Sequence, residues 1–212
     1  MRFVDLSHSI EASMPSYPGT PGPIFHPTAS IGEHGFAEQR LTLSSHSGTH
    51  VDLPSHILLA GSSLDAFGVE RFAGRGVAID LRGMRGLIPL EALLPFEVLI
   101  KECDFLLLCS GWSQHWGSAD YYAGYPVLSL EAARWLTGFH LKGIGVDMIS
   151  VDAADSVDFS VHKILLQKEI LIIENLLCPT LLFSFPFTFY GFPLKIAGAE
   201  ASPIRAVALM AE

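Results

Sequence analysis

The sequence predicts a single α/β domain, rich in strands, across residues 1–212. Three observations carry this. Short apolar runs recur at 76–81, 104–109, 143–147 and 204–209. Runs of that length, bounded by glycine or polar residues, read as strands. Helical patterns fall between them, and 212 residues suffice for one well-filled core.

From the N-terminus onward, residues 11–36 are rich in Pro and Gly and read as a long irregular segment, suited to a substrate lid. Residues 40–45, Arg-Leu-Thr-Leu-Ser-Ser, alternate apolar and polar like a strand. A short helix is expected over 89–94. The clearest helix starts at Ser129 as N-cap, with Glu131 in its first turn and Ala132, Ala133 and Leu136 inside, and stops between Gly138 and Gly143. A further helix begins near His162, ahead of the apolar run 170–177 that contains Glu174. Residues 183–185 and 187–190 read as short aromatic strand pieces. The uncharged stretch 176–194 approaches membrane-spanning length, but Pro179, Pro186, Gly191 and Pro193 divide it, so a core or interface strand is expected and no membrane helix.

Composition limits the function classes. The net charge is −9 and no Lys/Arg cluster occurs, which excludes a nucleic-acid binder. Only 17% of residues are charged while 50% are hydrophobic, which points to extra buried area at a subunit interface, hence a homodimer or homotetramer. Cys103, Cys109 and Cys178 are isolated, as suits a reducing cytoplasm. Cys178 reads as a small buried hydrophobe rather than a nucleophile. The N-terminal residues turn polar too early for a secretory signal. Ser110-Gly-Trp-Ser113 lacks the spacing of a serine nucleophile elbow and reads as a turn around a packed Trp112. Asp147, Asp152, Asp155 and Asp158 form a polar group in which Ser150 and Asp152 read as structural residues close to a site.

The chemistry concentrates in residues 46–56, His-Ser-Gly-Thr-His-Val-Asp-Leu-Pro-Ser-His. Imidazole nitrogen and carboxylate oxygen are the ligands of divalent metals that activate water. Gly48, Thr49 and Pro54 argue against a helix here, so the motif is expected on a strand end and the loop after it. On an extended chain His50 and Asp52, two apart, face the same side. Gly48 lets the chain turn and brings His46 towards them. His56, beyond Pro54, need not be a ligand and is placed to reach a metal-held water as a base. The Glu of a His-Glu-x-x-His helix is absent. Farther on, His162 alone reads as a surface histidine. Glu174 is either an exposed strand end or a carboxylate whose burial requires a partner or a metal.

The motif resembles the His-x-Gly-Thr-His-x-Asp-x-Pro-x-His signature of the metal-dependent cyclase-like hydrolases, which include bacterial kynurenine formamidase and isatin hydrolase. The resemblance spans nearly the whole chain. Asp5-Leu-Ser-His8 with Tyr17-Pro-Gly19 is similar to the family's N-terminal segment. Ser110-Gly-Trp-Ser113, Pro126-Val-Leu-Ser129 and Gly145-Val-Asp147 through Ser150-Val-Asp152 resemble its middle. Pro193-Leu-Lys195 and Ser202-Pro-Ile-Arg205-Ala resemble its C-terminal signature.

The resemblance implies a β-rich domain of the swivelling β/β/α type. It implies that His46, His50, Asp52, His162 and Glu174 hold one or two divalent ions, foremost Zn²⁺ or Mn²⁺, with Asp52 and Glu174 bridging in two-metal members. It implies that His56 is the catalytic general acid and base. The implied reaction is hydrolysis of an amide C–N bond in a small-molecule substrate by metal-activated water, with an arylformamide such as N-formylkynurenine as substrate. Opening of a cyclic amide, as in isatin hydrolysis, is the alternative within this chemistry, and a metal-binding relative without turnover is the alternative outside it. Where the formamidases carry Trp and Asp around Pro-Gly, this chain has Tyr17 and Thr20. Tyr17 is the implied substrate-binding residue, able to stack on an aryl ring.

Overall fold

Residues 105–109, Phe-Leu-Leu-Leu-Cys, are apolar at every position, and all five are buried. Such a run belongs to a strand covered on both faces. In the computed structural model, which describes residues 1–210, this strand lies near the middle of the main sheet. The strands are β1 (Arg2–Asp5), β2 (Ile24–Ala29), β3 (Glu38–Thr42), β4 (His50–Asp52), β5 (Ala73–Asp80), β6 (Leu87–Ile88), β7 (Phe105–Cys109), β8 (Val127–Leu128), β9 (Gly143–Val146), β10 (Leu171–Glu174), β11 (Phe187–Tyr190), β12 (Ala201–Pro203) and β13 (Val207–Met210). The α-helices are short: α1 (Ile31–His34), α2 (Glu97–Lys101), α3 (Leu130–Leu136) and α4 (Ser160–Leu166).

Among the described residues, nine strands form one mixed sheet in the order β1-β13-β11-β5-β7-β9-β10-β4-β12. Its centre, β5-β7-β9-β10, is parallel and its flanks are antiparallel. The sheet curls until the chain leaving β1 meets the chain leaving β10. Ser7 bridges Leu176, and the Leu177 amide donates to the Leu6 carbonyl at 2.8 Å.

Period-2 alternation divides the strands between two cores. Leu106, Leu108, Ile144, Val146 and Ile172 pack with α3 and α4. Phe105, Leu107, Leu171, Ile173 and Phe189 fill the inside of the curl. The register of β4 positions the polar residues. It runs antiparallel to β10 with His50 opposite Glu174 and Asp52 opposite Ile172. Residues opposite one another share a face, so His50, Asp52 and Glu174 all point to the helical side, like Ile172.

Several expectations are corrected. The run 204–209 is not one strand, because the chain changes partners within it. Ile204 donates its amide to Thr49 near β4, whereas β13 pairs with β1 and β11 at the far edge. The strand at 40–45 ends at Thr42 and pairs with β2 in a separate two-stranded ribbon. The metal-type motif therefore does not extend that strand but supplies its own, β4. Residues 89–94 form no α-helix. Two 3-10 turns, Leu90–Ala92 and Leu94–Phe96, precede α2. Pro95 lacks the amide that a continuous helix needs and disfavours helical backbone at Leu94. Residues 183–185 are not a strand: Thr180–Phe183 is a 3-10 turn, and Pro186 then removes a ladder donor. The segment 11–36 is irregular only in part, since it contains β2 and α1. β2 is stabilised by its ladder to β3, a pairing that local sequence does not display.

The Ser129 cap is present: its hydroxyl accepts from the Ala132 amide at 3.1 Å. Ser129→Ala should cost about 1 kcal/mol. Thermal unfolding should show this as a fall in Tm of roughly 2–4 °C.

Candidate metal centre

β4 delivers His50 and Asp52 on one face, and flanking turns bring two more imidazoles beside them. Gly48 adopts φ +65°, a backbone that disfavours any side chain, and this turn folds His46 back so that its Nδ1 lies 2.9 Å from Asp52 Oδ1. After Leu53, Pro54 opens a 3-10 turn whose last residue is His56. The His56 ring centre lies 4.3 Å from that of His46 and 5.8 Å from that of His162. α4 packs on β10 and presents His162 from its first turn. His162 Nε2 is 3.6 Å from Asp52 Oδ2 and 3.5 Å from Glu174 Oε1. His50 Nε2 is 3.3 Å from Asp52 Oδ1 and 3.5 Å from Glu174 Oε2. All six polar residues singled out in the sequence thus converge on one cluster. Tyr17 lines the cavity above it, a space of about 230 Å³ walled by Pro15, Ile57, Ile149 and Phe159.

The centre of the cluster is buried. Asp52 is 0% exposed, and His50, His162 and Glu174 are buried. Close as the rings are, none meets Asp52 with hydrogen-bond geometry. Among the described residues, both Asp52 oxygens and His50 Nε2 lack a hydrogen-bond partner. Orphaned buried groups of this kind are costly unless something else satisfies them. Two groups of ligand atoms, His50-Asp52-Glu174 and His46-Asp52-His56, each lie within 4.8 Å of one another and share Asp52. Imidazole and carboxylate donors at that spacing fit one or two divalent cations.

Outer partners fix the rings. His50 Nδ1 donates to the Gly48 carbonyl at 2.9 Å, which leaves Nε2 facing the cluster. His162 Nδ1 is held by Asp152 Oδ2 at 2.7 Å. His46 Nε2 lies 3.5 Å from Glu200 Oε1, and Glu200 in turn accepts from Ser45 Oγ at 2.5 Å. The Glu174 carboxylate accepts the Val151 amide at 3.0 Å. Asn175, with φ +59°, donates to the Gly48 carbonyl and accepts from the Tyr121 hydroxyl.

The charges are strongly interdependent. Burial works to raise the Asp52 carboxyl, but the charge of His50 and the nearby nitrogens of His162, His46 and His50 hold it well below its usual range. Burial works to lower His50, but Asp52 and Glu174 outweigh it and raise the imidazole to about 10. His162 is likewise raised, against its burial, by Asp152, Asp52 and Glu174. Two buried carboxylates therefore demand positive charge, which protons supply in the metal-free chain and a divalent ion would supply instead. His56 behaves oppositely. Burial lowers it, and His46 and His162 add to the effect against the pull of Asp52. It is uncharged at neutral pH and free to accept a proton.

Other sequence candidates stay out of the cluster. Asp147 accepts from both the amide and the hydroxyl of Ser110 and acts as a turn anchor. Hydrogen bonding with Cys109, together with burial, pushes the Cys178 thiol well above its ordinary range, which suits no nucleophile. Glu200, Asn175 and Phe159 are absent from the sequence-based set. Glu200 and Phe159 carry no local signal, and Asn175 is identifiable only as the neighbour of Glu174. Among the described residues, no helix is long and apolar enough to cross a membrane.

Comparison with known proteins bears on the family and the fold. The sequence model of the putative cyclase family matches residues 4–153. An uncharacterized protein of Methanocaldococcus jannaschii is 32% identical over 178 residues, covering 83% of this chain and 84% of the relative. The kynurenine formamidase of Erythrobacter litoralis is 29% identical over 213 residues, covering 97% and 93%. The solved structure of isatin hydrolase A from Labrenzia aggregata superposes with a TM-score of 0.89 at 23% identity, covering 100% of this chain and 94% of that one. At that identity the likeness speaks for the fold.

One glycine supports the site from behind. A Cβ on Gly61 would fall 2.3 Å from the carbonyl carbon of Pro54, in the turn that carries His56. Because the obstacle is backbone, Gly61→Ala should destabilise by about 1–3 kcal/mol. Thermal unfolding should report this as a Tm lowered by several degrees.

Proposed function

The chain belongs to the putative cyclase family, and on that premise we propose that it is a metal-dependent amide hydrolase whose substrate is an arylformamide such as N-formylkynurenine. The observation that carries this reading is the orphaned Asp52 carboxylate, buried among His46, His50, His162 and Glu174 with no hydrogen-bond partner among the described residues. A donor set of that chemistry fits divalent metal and has no evident purpose without it. The near-full-length similarity to kynurenine formamidases supports the choice of substrate.

In this reading His46, His50, Asp52, His162 and Glu174 would hold one or two divalent ions. When bound, such an ion polarises a carbonyl and lowers the pKa of water towards about 7. The remaining work falls to the chain. His50 and His162 present Nε2 because Gly48 and Asp152 occupy their other nitrogens. His56 takes a proton from the attacking water at its basic ring nitrogen and returns it to the departing amine nitrogen. Its lowered pKa keeps it in the accepting form at neutral pH. Pro15, Ile57 and Ile149 exclude bulk water from the reacting carbonyl, and Tyr17 offers an aromatic face to the aryl group.

Formate release from N-formylkynurenine by purified protein tests the reading. Release should be abolished by a chelator and restored by Zn²⁺ or Mn²⁺. Absence of release with metal bound would overturn the arylformamide assignment and move the substrate to a cyclic amide. His56→Ala should lower turnover by about 10²-fold or more while metal content, measured by elemental analysis, stays at the wild-type level. Asp52→Ala should lose both metal and activity. A His56→Ala protein that lost its metal would make His56 a ligand instead of the proton carrier.

A further inference from the structure

We propose that Phe159 is the specificity-determining residue of the cavity, selecting a planar aromatic substituent over an alkyl one. This deepens the arylformamide reading and rests on it.

The loop between Asp152 and α4 is largely exposed, at Ala153, Ala154, Asp155, Val157 and Asp158, but Phe159 at its end is half-buried. Phe159 has φ 48° and ψ 50°, the left-handed region. Glycine or asparagine enters that region readily, whereas a bulky aromatic residue is strained there. Such strain persists only where the surroundings over-determine the conformation. Here they do. Asp152 accepts the amides of Val161 at 2.9 Å and His162 at 3.0 Å, so one carboxylate ties the start of the loop to its end. The Phe159 amide donates to Ser156 Oγ at 3.2 Å, and its carbonyl accepts from Lys163 at 3.0 Å.

The strained residue serves no core. Among the described residues Phe159 belongs to neither hydrophobic cluster. Its ring instead lines the cavity that Tyr17 also lines, and it meets the His162 ring edge-on, 6.0 Å between centres at 88°. A conformation that favours glycine, occupied by an aromatic ring delivered beside a metal-type histidine, is explained by what the ring contacts in the cavity. An aryl group gains an oriented ring contact there beyond its buried area, and an alkyl group gains only the area.

The test compares wild type, Phe159→Leu, Phe159→Gly and Phe159→Tyr, all metal-loaded. Calorimetry gives the affinities for acetanilide and N-butylacetamide, and kinetics gives KM and kcat for formanilide and N-butylformamide. Wild type and Phe159→Tyr should prefer the aryl member of each pair. In Phe159→Leu and Phe159→Gly that preference should fall about tenfold, through Kd and KM rather than kcat. Phe159→Gly should also melt no lower than Phe159→Leu, because glycine relieves the backbone. Folded Leu or Gly variants that keep the wild-type preference overturn the proposal, as does a wild type that binds both probes equally. Aryl-selective binding without hydrolysis of formanilide would instead overturn the arylformamide reading and leave Phe159 in its role.

Discussion

Burying Asp52 organises everything around it. A carboxylate at 0% exposure forfeits hydration worth several kcal/mol, and none of the nearby nitrogens meets it with hydrogen-bond geometry among the described residues. Positive charge alone repays that loss. His50, His162 and His46 crowd it for this reason, and the same demand raises His50 and His162 far above an ordinary imidazole. The scaffold that maintains this arrangement is rigid. β4 lies between β10 and β12, so Asp52 is paired on both sides and has no freedom to swing out to water.

The ring nitrogens that face away from the cluster are treated unequally. His50 leans on a backbone carbonyl, His162 on a buried carboxylate and His46 on the partly exposed Glu200. A carboxylate partner makes an imidazole a stronger donor than a carbonyl does. The three imidazoles are therefore electronically distinct although all of them border Asp52. His46 also lies nearer to solvent, as its ring and Glu200 both remain partly accessible.

Much of this is legible in the sequence itself. The His50–Asp52 pair requires only the two-residue period of a strand, and its shared face results. The burial of Glu174 stems from an apolar run that contains one charge. Long-range pairing is what the sequence conceals. Nothing in residues 204–209 announces that the chain leaves one sheet edge for the other, because the reason is a hydrogen bond to Thr49. Nor does Ser-Pro-Ile-Arg hint that Glu200, just before it, reaches His46. Asp152 is recognisable as a structural residue near the site, but its hold on both α4 and the His162 ring depends on a loop that returns to its own starting point. Local propensity fails where proline intervenes, at Pro95 and Pro186, and succeeds where a cap stands in the open, at Ser129.

The two neighbours of β4 come from late in the chain, residues 171–174 and 201–203. Contacts between partners so far apart in sequence form slowly and only after wide loops have closed. During synthesis, then, the histidine-rich segment leaves the ribosome long before either strand that can shelter it. Until those strands arrive its imidazoles and its carboxylate stand apart in water. Their convergence is a property of the finished sheet, and it arrives only with the last strands to be made.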